Sequence, residues 1–273
     1  MAFVASIGKG APPQLPRSGE PSLPTQTTSA APQLPKSSSS LEEIAAEASN
    51  CDKISQLPDS ILVSIISRLT VVEAVCTSIL STRWRHLSTY ITRLDFTPTP
   101  KQQKYFEKNY DKISKAEFIK YTINHTLDSH KGGQFLDEFR LCLPFFSSQY
   151  QSSEIGRWLE FAFSKQVQII DLHVHTFFPR AFFPFLPCLA SRNEALPAFK
   201  SLKELSLGAV DLGDEDLELL LSNFIVLERL SIEYNGKLRV VSIVGDLAPK
   251  LKHLNLRSCS SIETVEIRGL MNL

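Results

Sequence analysis

The residues whose types and spacing most suggest metal binding or catalysis form the run Asp171-Leu172-His173-Val174-His175. Alternation along a strand would place Asp171, His173 and His175 on one face. Two imidazoles two residues apart can share one metal ion, as in some metal-dependent hydrolases. The chain has only 6 histidines and no second cluster of potential ligands. We therefore expect no metal site, and keep a metal hydrolase only as an alternative whose test is stoichiometric metal in the purified protein.

The rest of the sequence offers no catalytic or cofactor-binding motif. It contains no G-x-x-x-x-G-K-[ST], G-x-G-x-x-G or G-x-S-x-G pattern. Cys76 falls within a predicted helical region, which favours a buried structural thiol over a nucleophile. We therefore expect a protein that is not an enzyme and that needs no cofactor.

Composition excludes several classes of partner. Lysine plus arginine and aspartate plus glutamate each total 29, which argues against a nucleic-acid or anionic-membrane surface. No apolar run approaches the ~18–20 residues of a membrane span, and the first residues lack the apolar core of a secretory signal. The 5 cysteines are odd in number and form no C-x-x-C pair, which favours a reducing compartment, the cytoplasm or the nucleus.

The stretch 52–87 predicts three short helices. Pro58 suits a first helical position, and apolar residues follow it at helical spacing: Ile61, Leu62, Ile65, Ile66 and Leu69. Thr70-Val-Val-Glu73 has the spacing of a capping box for a second helix. Ser81 can cap a third helix that carries Trp84.

So short a stretch is too small to bury all of its large apolar side chains. Six residues are candidates for contact with a partner, and some of these six are expected to stay exposed until the partner covers them: Leu57, Pro58, Ile61, Ile65, Leu80 and Trp84.

The same residues resemble an F-box. The match runs without a gap through Leu57-Pro58, Ile61, Ile65, Ile66, Leu69, Ala74, Val75, Leu80 and Arg83-Trp84. The runs Asp52-Lys53-Ile54-Ser55 and Leu80-Ser81-Thr82-Arg83-Trp84 are similar to the plant branch in which an F-box precedes leucine-rich repeats. Plant members usually carry a proline and a charged residue after the position of Leu69, where this chain has Val71-Val72. The resemblance implies docking on the Skp-type adaptor of a cullin–RING ubiquitin ligase.

The second half of the chain is repetitive. The template L-x-x-L-x-L recurs, with conservative replacements, at Leu136-Phe139-Leu141, Val167-Ile170-Leu172, Leu202-Leu205-Leu207, Leu227-Leu230-Ile232 and Leu251-Leu254-Leu256. Asn235 and Cys259 follow two of these runs at the position where the template wants Asn or Cys, and His175 is expected at that position in an earlier run. A side chain at this position is expected to lie inside the turn and to bond backbone groups that would otherwise be unsatisfied. These residues resemble leucine-rich repeats, which implies one short strand per repeat, stacked in parallel along a concave face.

Side chains between the apolar positions are expected to face solvent on that concave side. They are candidates for binding a target protein or a small ligand: Glu138, Arg140, Asp171, His173, Glu204, Ser206, Arg229, Ser231, Glu233, His253, Asn255 and Arg257. Helices are predicted on the opposite side at 154–166 and 214–223, and further strands at 238–243 and 262–267.

The fold class expected is α+β, in four segments. We predict a disordered Pro/Ser-rich tail at 1–50, a three-helix F-box at 51–96, a helical linker at 97–133 and a solenoid of leucine-rich repeats at 134–273. The solenoid is expected to be C-terminally incomplete, without the FBD domain that plant relatives often carry.

The expected function is substrate recognition in an SCF-type (Skp–cullin–F-box) ubiquitin ligase. The F-box would bind the adaptor and the repeats would bind a target protein. The alternative is a non-catalytic scaffold, or a truncated competitor, that occupies the adaptor without a target of its own.

Overall fold

The computed structural model describes residues 53–108, 112–144, 152–175, 183–184 and 200–269. The predicted tail at 1–50 lies outside the described residues and stays a prediction. Residues from Ile54 onward belong to one compact unit, which holds both the helical region and the repeats.

Three short helices open this unit, as predicted: α1 (Asp59–Ile66), α2 (Val71–Thr77) and α3 (Thr82–Leu87), with a 3-10 turn at Ser88–Tyr90. Pro58 is the N-cap of α1 rather than its first helical residue, and its carbonyl accepts from the Leu62 amide at 3.1 Å. The capping box of α2 is confirmed, since Thr70 and Glu73 each bond the other's backbone N–H.

The helices bury one face each into a shared core. That core contains Leu62, Ile66, Val71, Ala74, Trp84 and Leu87. The cap of α3 is also confirmed, because Ser81 Oγ accepts from the Trp84 amide at 3.3 Å. Val71 is fully buried, and Val72 lines a small cleft together with Phe118 and Ile119. Of the two valines that depart from the family pattern, Val71 joins the core and Val72 faces a cleft shared with the segment that follows.

That segment contains strand β1 (Arg93–Asp95) and helices α4 (Pro100–Lys108) and α5 (Lys112–Ser129). β1 pairs in parallel with β2 (Glu138–Pro144). The Thr92 hydroxyl donates to Asp137 at 2.6 Å and its amide bonds the Ser67 hydroxyl at 3.0 Å. The helical region is thus hydrogen-bonded directly to the first repeat.

The repeats build a parallel sheet. It has six described strands in the order β1-β2-β3-β5-β7-β9, where β3 is Ile169–His175, β5 is Glu204–Gly208, β7 is Arg229–Glu233 and β9 is His253–Arg257. The five strands predicted from the repeat template are all present. Their template leucines and isoleucines in β2, β3, β5 and β7 are buried, because alternate side chains of a strand face opposite sides.

Helices and short strands cover the other side. Helix α6 (Ser152–Ser164) buries Trp158 and Leu159, and helix α7 (Asp214–Asn223) has the predicted bounds. The predicted outer strands are confirmed as a parallel pair, β8 (Val240–Val244) and β10 (Thr264–Arg268). A second parallel pair joins β4 (Phe183–Pro184) and β6 (Val210–Asp211).

His130 contacts both the helical region, at Ile91, and the first helix of the repeats, at Phe161. Its Nε2 lies 2.9 Å from the Ile91 carbonyl, and its ring meets the edge of Phe161 with centroids 5.6 Å apart. The Lys165 ammonium donates to the Gly132 carbonyl at 3.0 Å. Burial, with the nearby Lys165 charge, lowers the pKa of His130, so the neutral ring is favoured.

Candidate functional sites

Large apolar side chains stay exposed on the helical region. We call them the exposed apolar set: Ile54, Pro58, Ile61, Ile65, Val75, Ile79 and Leu80. Ile61 and Ile65 lie one turn apart on α1, while Leu62 and Ile66 on the opposite side are fully buried. Ile79 is 83% exposed and Leu80 65%. So many exposed apolar side chains in one short stretch indicate a surface for another protein.

Two members of the predicted contact set differ from the rest of it. Leu57 is half-buried and packs against the core. Trp84 is only 9% exposed, so it is not one of the residues that stay uncovered, and its contact with the adaptor remains a prediction. Because α3 has only six residues, its burial depends on Trp84 and Leu87 together. Trp84 therefore holds α3 in place and presents little surface of its own.

Cys76 also differs from its prediction. The helical pattern indicated a buried structural thiol, but Cys76 is exposed on α2. The buried side of α2 is taken by Val71 and Ala74, and Cys76 lies two residues beyond Ala74, where the helix has turned toward solvent.

The concave face carries a network of charges at its first three strands. Arg140 lies between two carboxylates, with Nη1 3.3 Å from Asp95 Oδ2 and Nε 2.9 Å from Asp171 Oδ2. These three residues are in register across β1, β2 and β3. Burial opposes ionisation of Asp171, but His173 and Arg140 outweigh it and keep the pKa of the carboxyl below its ordinary value.

Glu138 was predicted to face solvent, and this expectation is wrong. Its side chain is buried between two arginines: Arg93 Nε donates to Glu138 Oε2 at 2.7 Å, and Arg140 Nη2 lies 2.6 Å from Oε1. Arg93 reaches it because β1 adds a strand beside β2, and the sequence pattern gave no sign of that pairing.

His173 is the imidazole of the predicted metal-like run. Its Nε2 lies 2.9 Å from Asp171 Oδ1 and 3.3 Å from Ser206 Oγ. A Ser–His–Asp relay needs the serine and the carboxylate on different ring nitrogens, so this arrangement cannot activate Ser206. Hydrogen bonding to Asp171 raises the pKa of His173, against the effect of burial.

Gly208 makes room for that imidazole. A Cβ at this position would lie 2.2 Å from His173 Nδ1, so any larger residue would displace the ring. The side chain of His175 is outside the described part of the structure. Among the residues that the structure describes, no group of three or more His, Cys, Asp or Glu side chains could hold a metal ion.

The concave face changes character toward β9. Its middle row carries Ser206, Ser231 and Asn255 in register, and Asn255 donates to Ser231 Oγ at 3.0 Å. The flanking rows carry the remaining predicted binding residues: Glu204, Arg229, Glu233, His253 and Arg257. Arg229 and Glu204 are 3.6 Å apart, and Arg229 is exposed while Glu204 is partly exposed. This pair therefore contributes little stability and stays available to a partner.

Asn235 holds the turn after β7. Its Nδ2 donates to the carbonyls of Val210 and Leu212 at 2.9 and 3.0 Å. Its Oδ1 accepts from the amides of Lys237 and Leu238 at 2.9 and 2.8 Å. Cys259 takes the same position one repeat later, with Sγ 3.5 Å from the Ile232 carbonyl. The predicted role of this template position is therefore confirmed for both residues.

Within the described ranges, no helix combines the length and the apolar character that crossing a bilayer requires.

Comparison with known families separates the same two parts of the chain. The F-box domain family matches residues 54–94. The family described as the At1g61320/AtMIF1, LRR domain matches residues 185–271. The fold and these matches define a protein in which an F-box is joined to leucine-rich repeats.

Relatives in Arabidopsis thaliana share both parts. F-box/LRR-repeat protein At3g26922 is 32% identical over 76% of this chain and 67% of its own length. F-box/LRR-repeat protein 25 is 28% identical over 76% of this chain and 78% of its own length. F-box/FBD/LRR-repeat protein At4g00160 is 29% identical over 75% of this chain, but this chain spans only 46% of that protein. The chain belongs to the plant F-box/LRR-repeat family, as the sequence predicted.

Proposed function

We propose that this protein is a substrate-recognition subunit of an SCF-type ubiquitin ligase. Its F-box binds a Skp-type adaptor, which connects it to a cullin–RING ligase, and its repeats bind a target protein. The chain supplies no catalytic residue in this proposal, because catalysis comes from holding the target near the conjugating enzyme. It works in the cytoplasm or the nucleus.

The exposed apolar set is the observation that carries this proposal. The F-box buries Leu62 and Ile66 in its own core and leaves Ile61, Ile65 and Ile79 uncovered. Each fully buried large apolar side chain contributes roughly 1.5–3 kcal/mol, so a few such anchors support a tight complex after the cost of association. A solvated surface with no partner would not favour this concentration of apolar residues.

The test is titration calorimetry of the purified chain with a Skp-type adaptor. Replacing Leu57→Ala together with Pro58→Ala is expected to weaken binding by about thirtyfold or more, since at least one large apolar contact is lost. Leu219→Ala is the control, because Leu219 is an exposed leucine on α7 of the repeats and lies outside the F-box.

The outcomes separate cleanly. The proposal predicts tight binding by wild type and by Leu219→Ala, and loss in the double variant. Equal affinity for all three proteins would rule out the assigned contact, and absence of binding by folded wild type would rule out the ligase role.

The second binding surface is the concave face beyond Asp171. Mixed charge along a curved parallel sheet, with Arg229, His253 and Arg257 exposed, supports recognition of a protein target. Charge reversal at Arg257 is expected to reduce capture of a bound target without changing affinity for the adaptor. Capture that is unchanged by reversal at Arg229, His253 and Arg257 together would remove this surface from the proposal.

A further inference from the structure

The guanidinium of Arg83 ties α3 to the segment that precedes α1. Its Nε and Nη2 donate to Asp59 Oδ1 at 2.9 and 2.6 Å. Its Nη1 donates to the Ser55 carbonyl at 2.5 Å, and its Nη2 also donates to the Leu57 carbonyl at 2.6 Å. The Arg83 side chain thus bonds two backbone carbonyls and one carboxylate of residues that lie 24 to 28 positions earlier in the chain.

The bonded carbonyls belong to the segment proposed to contact the adaptor. Leu57 is half-buried and Pro58 is exposed, so this pair is anchored on one side and presented on the other. In the absence of Arg83, the carbonyls of Ser55 and Leu57 would each lose one hydrogen bond and be solvated instead. The backbone would then have to be ordered when the adaptor binds, which weakens association.

We infer that Arg83 is a positioning residue for adaptor binding, which fixes Leu57 and Pro58 before the adaptor arrives. The inference rests on the proposed function, since it concerns the same surface. It assigns Arg83 a role through the geometry of its fork, because a planar guanidinium can donate to three separate oxygens at once and an ammonium on a lysine stem cannot reproduce that pattern.

Lysine substitution separates positioning from charge attraction. A contact that depended on the positive charge of Arg83 alone would survive in Arg83→Lys. Positioning by the fork predicts that Arg83→Lys and Arg83→Ala both weaken adaptor binding, by about tenfold to a hundredfold. Asp59→Asn is expected to weaken it less and in the same direction, because the two carbonyl bonds of Arg83 remain.

Arg85→Ala is the matched control for these variants. Arg85 lies two residues further along α3 and is exposed, and its replacement by alanine removes the same charge. Its replacement is expected to change the affinity by less than about twofold. Urea unfolding of every variant establishes that the chain is folded before its affinity is measured.

Hydrogen exchange of the free chain provides a readout that needs no adaptor. Backbone amides at 54–57 are expected to exchange faster in Arg83→Ala and Arg83→Lys than in wild type and Arg85→Ala. Wild-type affinity in Arg83→Lys, or unchanged exchange in both variants, would overturn the positioning role. Failure of wild type to bind the adaptor would overturn the proposed function, and faster exchange in the variants would then show that Arg83 orders a segment with a different use.

Discussion

Replacement of Asn235 by alanine tests how the repeat turns are held together. The side chain is buried and makes four hydrogen bonds, two donated to Val210 and Leu212 and two accepted from Lys237 and Leu238. At about 1 kcal/mol of net stability for each bond, Asn235→Ala is expected to cost about 4 kcal/mol. Domains of this kind are stable by about 5–15 kcal/mol, so the variant is expected to lose a large part of its stability.

Urea unfolding of the full chain, followed by circular dichroism, measures this cost. Asn255→Ala is the control, because Asn255 is exposed on the concave face and its amide donates to Ser231. Its replacement is expected to change the free energy of unfolding by no more than about 0.5 kcal/mol. A loss below about 1 kcal/mol for Asn235→Ala, or equal losses in the two variants, would refute the reasoning.

Further predictions concern titration and the charge network. The pKa of His130 is lowered in the folded chain. Its contribution to the free energy of unfolding is therefore fully present above the unfolded pKa of about 6.5 and is lost as the pH falls toward the folded pKa. His130→Gln is expected to reduce the loss of stability between pH 7 and 5. The pKa of His173 is raised in the folded chain. Its contribution to the free energy of unfolding is therefore fully present below the unfolded pKa of about 6.5 and is lost as the pH rises through the folded pKa. His173→Gln is expected to flatten the change in stability between pH 6 and 8. Urea midpoints across this range check both, and identical pH profiles for wild type and the variants would contradict them. Glu138→Ala is expected to reduce the free energy of unfolding by about 1–3 kcal/mol, because it leaves two arginines without their buried partner. Glu204→Ala removes a partly exposed carboxylate and is expected to reduce it by less than about 0.5 kcal/mol. Equal costs would contradict the buried pairing.

Local patterns made much of this fold predictable. The capping box at Thr70 and Glu73, the cap at Ser81 and the turn residue Asn235 each depend on contacts within a few residues or one repeat. The five template strands were predictable because each alternates buried and exposed positions within its own short run.

The features that were missed depend on distant parts of the chain. Strand β1 has three residues and one buried side chain, Leu94, and its partner β2 begins 45 residues later. That pairing brings Arg93 to Glu138 and Asp95 to Arg140, so the first part of the concave network could not be read from the repeat template alone.

Very short helices set another limit to sequence reasoning. The helical pattern did not distinguish the exposed Cys76 from a buried thiol, or the buried Trp84 from an uncovered one. In helices of six to eight residues, the buried side is decided by how the three helices pack on one another. The contact roles assigned to the six F-box residues stay predictions: Leu57, Pro58, Ile61, Ile65, Leu80 and Trp84.

Direct titration of the purified wild-type chain with a Skp-type adaptor tests the central claim. The exposed apolar set predicts a one-to-one complex with an affinity of about 1 μM or tighter, which corresponds to about 8 kcal/mol and requires only a few buried anchors. It also predicts that charge at the most exposed member, Ile79→Asp, weakens the complex without changing the urea midpoint. A folded wild-type chain that gives no heat of binding and does not co-migrate with the adaptor would contradict the account.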